Sequence, residues 1–165
     1  MGPTPRPTVQ CASVSFSERI ITTLEDQPFS VFAIDLDGDG DVDVLSASFE
    51  GDTVAWYEND GSQSFTDHII TVLADSTNSV FATDMDGDGD VDVLSASGTD
   101  DTVAWYENDG SQSFTERVIT TLADSAASVF AIDLDEDGDV DVLSASGSDD
   151  TVAWYENDGS QSFTE

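Results

Sequence analysis

Hydrophobic and polar residues alternate in short runs along this chain, and the runs return in the same order over most of its length. Within one period they predict four strands, at residues 30–36, 42–48, 53–58 and 65–73. The first two runs are apolar on both faces, whereas the fourth alternates most weakly. Asn59-Asp60-Gly61 is a hairpin signal between the last two strands. No segment has a sustained 3.6-residue period with caps, so the pattern predicts an all-β chain.

The period is 49 residues, because the sequence around Phe16 returns at Phe65, Phe114 and Phe163. Residues 1–15 hold three of the four prolines and no periodic pattern, and we predict a flexible lead there. Residues 16–165 form three repeats. Four short antiparallel strands in each period are typical of a β-propeller blade, and strands that are apolar on both faces suit a position between neighbouring blades.

A nine-residue acidic stretch stands between the first two predicted strands of every repeat. It carries Asp at positions 1, 3, 5, 7 and 9 and Gly at position 6. Acids at alternate residues, with a glycine that lets the chain double back, can converge into an oxygen cage around a hard cation. Position 7 would contribute its backbone carbonyl. The candidate metal ligands are Asp35, Asp37, Asp39, Asp41 and Asp43, then Asp84, Asp86, Asp88, Asp90 and Asp92, then Asp133, Asp135, Asp137, Asp139 and Asp141.

Calcium is the cation that these loops favour, with one ion for each loop and so about three per chain. Carboxylates ~4 Å apart in water repel by about 1 kcal/mol per pair, so five in one turn are costly without a cation. Mg²⁺ keeps several waters in octahedral geometry, whereas an all-protein carboxylate loop suits Ca²⁺. An EF-hand is excluded because position 12 is Ser46, Ser95 or Ser144 rather than Glu. A solvated acidic turn is the alternative, and three copies at constant spacing count against it.

The overall charge is strongly negative and limits the partners. The chain has 36 acidic residues against three arginines, for a net charge of -33, which excludes nucleic acid and anionic membrane surfaces. No apolar run reaches the ~18 residues of a membrane span. The single cysteine, Cys11, leaves the compartment open. Residues 1–7 lack the order of a secretory signal, but acidic calcium loops suit a calcium-rich setting, so we predict an extracellular or cell-surface location.

The combination of motifs resembles one repeat family. Asp-x-Asp-x-Asp-Gly-x-x-Asp between two strands, then Val-Ala-Trp-Tyr-Glu-Asn-Asp-Gly and a Phe, is similar to the FG-GAP/VCBS repeat, whose blades are like those of integrin α-chain propellers. Over residues 16–165 the resemblance implies propeller blades that bind Ca²⁺ in the loop between their first two strands. Two departures are Asp at position 7 in every copy and Glu136 in place of a glycine. The Phe-Gly…Gly-Ala-Pro sequence is missing, so the VCBS branch fits better.

Three blades are fewer than the usual 4–8 of a closed propeller, so we predict that the ring closes by oligomerisation. A head-to-tail homodimer would give six blades, and a nine-bladed trimer is the alternative. Residues 16–24 have the sequence of a fourth strand, whereas residues 163–165 only begin one. The segment 16–24 would therefore complete a blade of another copy by strand exchange.

The function predicted from these features is a calcium-binding β-propeller scaffold for binding or adhesion, with a protein or glycan as possible ligand. The alternative is a lectin-like module that binds carbohydrate through the loop at residues 48–52 and its repeats, which include Asp100, Asp101, Asp149 and Asp150. An enzyme is less favoured because nearly identical repeats do not bring different residues together, and no Ser lies in Gly-x-Ser-x-Gly.

Two kinds of side chain could be mistaken for a binding site. His68, the one histidine, is predicted to be an exposed strand residue rather than a catalytic base. Tryptophan and tyrosine recur once per repeat at a fixed strand position, which favours core between blades over a stacking platform for sugars. These residues are Trp56, Trp105 and Trp154, with Tyr57, Tyr106 and Tyr155.

Overall fold

The computed structural model describes residues 15–164, and within that range the chain forms twelve β-strands and no helix. None of the described residues therefore belongs to a helix that could cross a membrane. Residues 1–14, most of the predicted flexible lead, lie outside the described part. The strands are β1 (Pro28–Ile34), β2 (Asp43–Ser48), β3 (Thr53–Asn59), β4 (Phe65–Thr71), β5 (Thr77–Thr83), β6 (Asp92–Ser97), β7 (Thr102–Asn108), β8 (Phe114–Thr120), β9 (Ala126–Ile132), β10 (Asp141–Ser146), β11 (Thr151–Asn157) and β12 (Phe163–Thr164).

The strands form three antiparallel four-stranded sheets, each of which we call a blade. Blade 1 is β1-β2-β3-β4, blade 2 is β5-β6-β7-β8, and blade 3 is β9-β10-β11-β12. The register repeats between blades: Leu45 lies opposite Trp56 in blade 1, and Leu94 lies opposite Trp105 in blade 2. The predicted four strands per repeat are confirmed, although β4 ends at Thr71, two residues earlier than expected.

Each blade packs face to face on the next, and apolar side chains fill the interface. We call the surface that contacts the following blade the forward face, and the surface that contacts the preceding blade the rear face. In the first interface the forward face supplies Leu45, Ala47, Val54 and Trp56, and the rear face of blade 2 supplies Val80, Ala82, Val93, Ala104 and Tyr106. Equivalent residues form the interface between blades 2 and 3. Burial of this surface, at roughly 25 cal/mol per Å², is the main force holding the blades together.

The second strand of the middle blade shows why the first two strands carry apolar residues on both faces. All six residues of β6 are buried, because blade 1 covers one side and blade 3 the other. The innermost strands also contact one another. Phe81 lies between Phe32 and Phe130, with ring centroids 4.8 and 4.7 Å away, so one aromatic column passes through all three blades. The prediction that these strands lie between neighbouring blades is confirmed.

Residues 16–24, predicted as a strand, have no regular strand structure in the single chain. The segment lies against the rear face of blade 1, beside Val31 and Tyr57. Just after it, the Tyr57 hydroxyl donates a 2.5 Å hydrogen bond to Glu25, and Ser48 also donates to that carboxylate. Within the described residues, this segment pairs with no strand. The three described blades do not close a ring, and strand exchange between copies stays a prediction.

Candidate metal centre

Each acidic loop joins the first two strands of a blade, and its own carboxylates fold it. In blade 1, Asp35 Oδ1 accepts a hydrogen bond from the Gly38 N–H at 2.9 Å, and Oδ2 accepts one from the Gly40 N–H at 3.0 Å. Both glycines have positive φ values, 75° and 98°, a conformation that residues with a side chain rarely adopt. Asp37 Oδ1 accepts the Asp39 N–H at 3.1 Å. These short-range bonds turn the chain so that alternate carboxylates point inward.

Three carboxylates converge in every loop. One oxygen from each lies within 4.8 Å of the other two, and positions 1 and 3 belong to the cluster in all three blades. The third member is position 5 in blade 1 and position 9 in blades 2 and 3. The clusters are Asp35, Asp37 and Asp39; Asp84, Asp86 and Asp92; and Asp133, Asp135 and Asp141. Asp43, Asp88 and Asp137 lie in the same loops but outside these tight groups.

The aspartate at position 9 is buried and connects three parts of its blade. Asp43 Oδ2 accepts the Leu36 N–H at 3.0 Å, and Oδ1 accepts the Asn59 N–H at 2.8 Å. Asp92 and Asp141 make the same two bonds in their blades. This carboxylate therefore holds the end of the first strand and the end of the third strand against the loop.

The aspartate at position 7 points away from the cluster. The side chains of Asp41, Asp90 and Asp139 lie against the turn between the third and fourth strands, at Gly61, Gly110 and Gly159. Gly110 has a φ of 77°, and a Cβ there would lie 2.5 Å from an Asp90 oxygen, so a side chain would strain the backbone and displace the Asp90 carboxylate. The backbone carbonyl remains the group through which position 7 would reach a cation.

Burial and mutual repulsion raise the pKa values of carboxylates in all three loops. Burial raises the pKa of Asp92 to about 6, although the N–H groups of Asn108 and Met85 oppose this shift. The nearby Trp105 indole also lowers the Asp92 pKa, although its N–H has no hydrogen-bond partner among the described residues. Burial, with added repulsion from neighbouring acids, raises the pKa values of Asp37, Asp86 and Asp135. The loops therefore hold negative charge at a cost that a cation would offset.

The third loop departs from the other two at one residue. Glu136 occupies the position of Gly38 and Gly87 and has a φ of 65°, which is strained for a residue with a side chain. The corresponding N–H bonds that Gly38 and Gly87 make to position 1 have no counterpart there. As a result Asp133 Oδ1 is buried without a hydrogen-bond partner in the described part of the chain.

Sequence reasoning missed two groups that complete the site. Asn108 donates through Nδ2 to the Val91 carbonyl at 3.1 Å, and its Oδ1 accepts the N–H groups of Gly110 and Gln112. Asn59 and Asn157 make the same bond to the loop.

The second group comes from the following blade, where Gln161 Nε2 donates to Asp86 Oδ2 at 3.2 Å. The constant 49-residue spacing could have identified these asparagines in the sequence, whereas nothing in the sequence indicated the contact between Gln161 and Asp86.

The donor set fits a hard cation. All side-chain candidates are carboxylates, the arrangement occurs in all three blades, and one oxygen, Asp133 Oδ1, is buried with no hydrogen-bond partner among residues 15–164. Oxygen ligands of this kind suit Ca²⁺ better than softer metals, which prefer nitrogen or sulfur. Positions 1, 3, 5 and 9, with the carbonyl at position 7, would hold the ion.

The other residues singled out in the sequence have structural surroundings. Trp56 and Trp105 are buried between blades as predicted, whereas Trp154 on the forward face of blade 3 is partly exposed. His68 lies in β4 as a half-exposed strand residue. Its ring stacks on Trp56 with 4.5 Å between centroids, and its Nε2 lies 2.9 Å from Glu58 Oε2.

In the proposed sugar loop, Asp52 accepts the Ser76 N–H of the next blade at 2.9 Å, and Asp101 repeats this contact with the Ser125 N–H.

Tandem antiparallel four-stranded blades, each with an acidic loop between its first two strands, define an all-β repeat protein of propeller-like blades. The family model of the FG-GAP-like repeat matches residues 35–95 and 84–144. The two matches together cover more than half of the chain, and the chain belongs to the FG-GAP-like repeat family. This confirms the resemblance noted in the sequence. Among curated proteins, no sequence matched this chain.

Proposed function

We propose that this chain is a calcium-stabilised β-propeller scaffold for binding or adhesion, located outside the cell or on its surface. The observation that carries the proposal is a cluster of three carboxylates within 4.8 Å, formed at the same place in all three blades. The family supports the same reading: FG-GAP repeats often bind calcium, are typical of extracellular or surface proteins, and form a non-enzymatic type of scaffold.

The loop carboxylates would stabilise the blade through their positions around the ion and through their charge. Calcium would supply a double positive charge between carboxylates that otherwise repel one another. Asp92 and its equivalents would transmit this stabilisation, because the same side chain holds both the loop and the end of the third strand. Ion binding would thus be coupled to folding of the whole blade, since the unfolded chain presents no preformed site.

Calcium removal tests the proposal directly. Three ions per chain are expected in equilibrium dialysis at millimolar calcium, and EDTA should lower the melting temperature by well over 5 °C. Asp37→Asn, Asp86→Asn and Asp135→Asn should each remove about one ion. The matched control is Glu50→Gln, which removes one exposed charge outside the loops and should leave the stoichiometry unchanged. An identical melting curve with and without EDTA would refute calcium stabilisation.

Carbohydrate binding remains the alternative ligand class for the scaffold. Asp52 and Asp101 are engaged in contacts between blades, whereas Asp100, Asp149 and Asp150 are exposed acids of the same loop in the second and third copies. A glycan array with Asp149→Asn as the paired variant tests this. Binding that the variant abolishes would favour the lectin, and no binding would favour a protein ligand.

A further inference from the structure

The chain contains two interfaces between blades, each formed by the forward face of one blade and the rear face of the next. The forward face of blade 3 and the rear face of blade 1 are the same two kinds of surface, and no described blade packs on them. On the forward face of blade 3, Val152 is 81% exposed, whereas Val103 at the same position of blade 2 is 0% exposed. On the rear face of blade 1, Val31 is 71% exposed, whereas Val80 in blade 2 is 4% exposed. Each outer face therefore carries residues whose counterparts pack against the opposite face elsewhere in the same molecule.

A cavity marks the place where a forward face would fit. Residues 18–25 and the rear face of blade 1 enclose about 350 Å³, lined on the blade side by Val31, Val44, Ser46 and Tyr57. The equivalent residues of blade 2 are buried, and Val80, Val93 and Tyr106 among them pack against the forward face of blade 1. Residues 18–25 and the cavity thus occupy the space that a preceding blade fills in the other two interfaces, so a docking blade would displace this segment from the rear face.

Three contacts recur between successive blades, and within the described residues each end of the row of blades holds only one of the two partners of each contact. Ser30 and Ser79 accept N–H bonds from Val80 and Val129 of the next blade, so Ser128 would accept one from Val31 of another copy. By the same repetition, Asp150 would accept the Gln27 N–H, as Asp52 and Asp101 accept those of Ser76 and Ser125. Phe130 would stack on Phe32 and extend the aromatic column.

The free edge of blade 3 also matches the segment at residues 16–24. Within the described residues, β11 pairs with β12 only at Glu156 and Asn157, so Trp154 has no partner on that side. In blades 1 and 2, the tryptophan at this position lies opposite His68 or Arg117 on the fourth strand. The Arg117 guanidinium lies 5.4 Å from the Trp105 ring centroid and also pairs with Glu107.

Arg19 has the position of His68 and Arg117 in the repeat, and Glu156 has the position of Glu58 and Glu107. Arg19 is one of three basic residues in a chain of 36 acidic ones. Its guanidinium could therefore stack on Trp154 and pair with Glu156 of another copy, as Arg117 does within blade 2. Residues 16–18 have the repeat positions of residues 163–165, where blade 3 already has β12, and the proposed exchange therefore begins at Arg19.

We propose that blade 3 of one copy docks on the rear face of blade 1 of a second copy, with residues 19–24 of the second copy as its fourth strand. Two such contacts, related by a two-fold axis, close a six-bladed homodimer. Six is the multiple of three that falls within the usual 4–8 blades, and a closed ring leaves no outer face uncovered.

The mass of the chain in solution gives the first test. Sedimentation equilibrium in millimolar calcium should give about 35 kDa, twice the 17.5 kDa of one chain. A species of one chain mass would overturn the docking, and a species of three chain masses would overturn the six-bladed ring.

A matched pair of variants tests the face. Val152→Glu places a charge at a position that is exposed in the single chain, so it should preserve the fold while weakening dimerisation at least about tenfold. Leu122→Glu makes the same kind of change at an exposed site outside both faces and should not affect the dimer. Calcium stoichiometry, measured on both variants, should stay at the wild-type value, which separates this docking from calcium binding. Unchanged dimerisation of Val152→Glu would overturn the docking.

Cross-linking tests the exchanged strand. Ala55 lies opposite Ile69 and Ala104 opposite Val118, so Ala153 should lie opposite Ile20 of the second copy. In a Cys11→Ser background, mixing Ile20→Cys with Ala153→Cys should give a disulfide-linked dimer, because antiparallel partners have Cα atoms about 4.5–5.5 Å apart. Ile20→Cys mixed with Ala104→Cys, whose strand edge is already paired, should give none. Equal cross-linking in both mixtures, or none in either, would show that the strand is not exchanged in this register.

Discussion

At the scale of single residues, the third acidic loop departs from the other two because of Glu136. A backbone φ of 65° is unfavourable for any residue with a Cβ, and the neighbouring Asp133 Oδ1 is buried without a partner in the described part of the chain. Gly38 and Gly87 satisfy the same oxygen in the other loops. One substitution therefore introduces both backbone strain and an unsatisfied acceptor in the third loop.

Replacement of Glu136 by glycine should stabilise blade 3. We expect Glu136→Gly to raise the free energy of unfolding by about 0.5–1 kcal/mol, because relief of strain exceeds the added freedom of the unfolded chain. Urea unfolding with and without calcium measures the change. Gly87→Glu, the reverse change in the second loop, should destabilise by a similar or larger amount. A loss of stability in Glu136→Gly would contradict the strain argument.

The raised pKa of Asp92 makes a second prediction at this scale. A carboxyl with a folded-state pKa of about 6 binds its proton more tightly in the folded than in the unfolded state. Its stabilising contribution is complete below the ordinary carboxyl range and is lost as the pH rises through about 6. In EDTA, the protein should therefore gain about 1 kcal/mol of stability from this group between pH 7 and pH 5.

Urea unfolding at both pH values checks this result, and Asp92→Asn should show a smaller difference between them. With calcium present, the stability should instead fall from pH 7 to pH 5, because the ligands must be deprotonated and the calcium affinity is therefore lower at pH 5. Equal pH dependence in wild type and Asp92→Asn, both in EDTA, would assign the effect to other groups.

At the scale of elements, the loop between the first two strands and the turn between the last two form one unit. Asn108 connects them, because its side chain donates to the Val91 carbonyl and accepts two N–H bonds from the turn. Asp92 accepts the N–H of the same residue. The stability of the hairpin should therefore depend on the order of the acidic loop.

Asn108→Ala tests this dependence. The change leaves the Val91 carbonyl and two turn N–H groups without their partner, which should cost about 2–3 kcal/mol in the free energy of unfolding. It should also weaken calcium binding at the second loop alone, as seen by titration calorimetry. Asn157→Ala is the matched control: it makes the same change in the third blade and should leave calcium binding at the second loop unaltered. Unaltered calcium affinity in Asn108→Ala would show that loop and turn are independent.

At the scale of the whole molecule, negative charge dominates. The chain has a net charge of -33, and three calcium ions would lower it to about -27, since each ion adds two positive charges. Self-repulsion of this size destabilises a compact state, and salt screens it over about 8–10 Å at physiological ionic strength.

Salt should therefore substitute in part for calcium. We expect the melting temperature in EDTA to rise steeply between low salt and 1 M NaCl, and to rise much less when calcium is present. Differential scanning calorimetry at several salt concentrations measures both slopes. A parallel rise in the two conditions would show that the loops contribute little to the total repulsion.

Short-range patterns in the amino-acid sequence were enough to predict the local structure. Alternating apolar residues, a constant 49-residue spacing and the placement of Gly and Asp fixed the strands, the loops and the candidate ligands, because these follow from short-range backbone preferences. The repeats also indicated which strands would be buried on both sides.

The surroundings of these strands and loops became visible only in the folded chain. Folding buried Asp43, Asp92 and Asp141 against neighbouring strands, turned the position 7 side chains toward the glycines, and left Val31 and Val152 uncovered at the two ends. These outcomes depend on packing between residues far apart in the chain. A local pattern that is the same in every repeat cannot distinguish a blade with two neighbours from a blade with one.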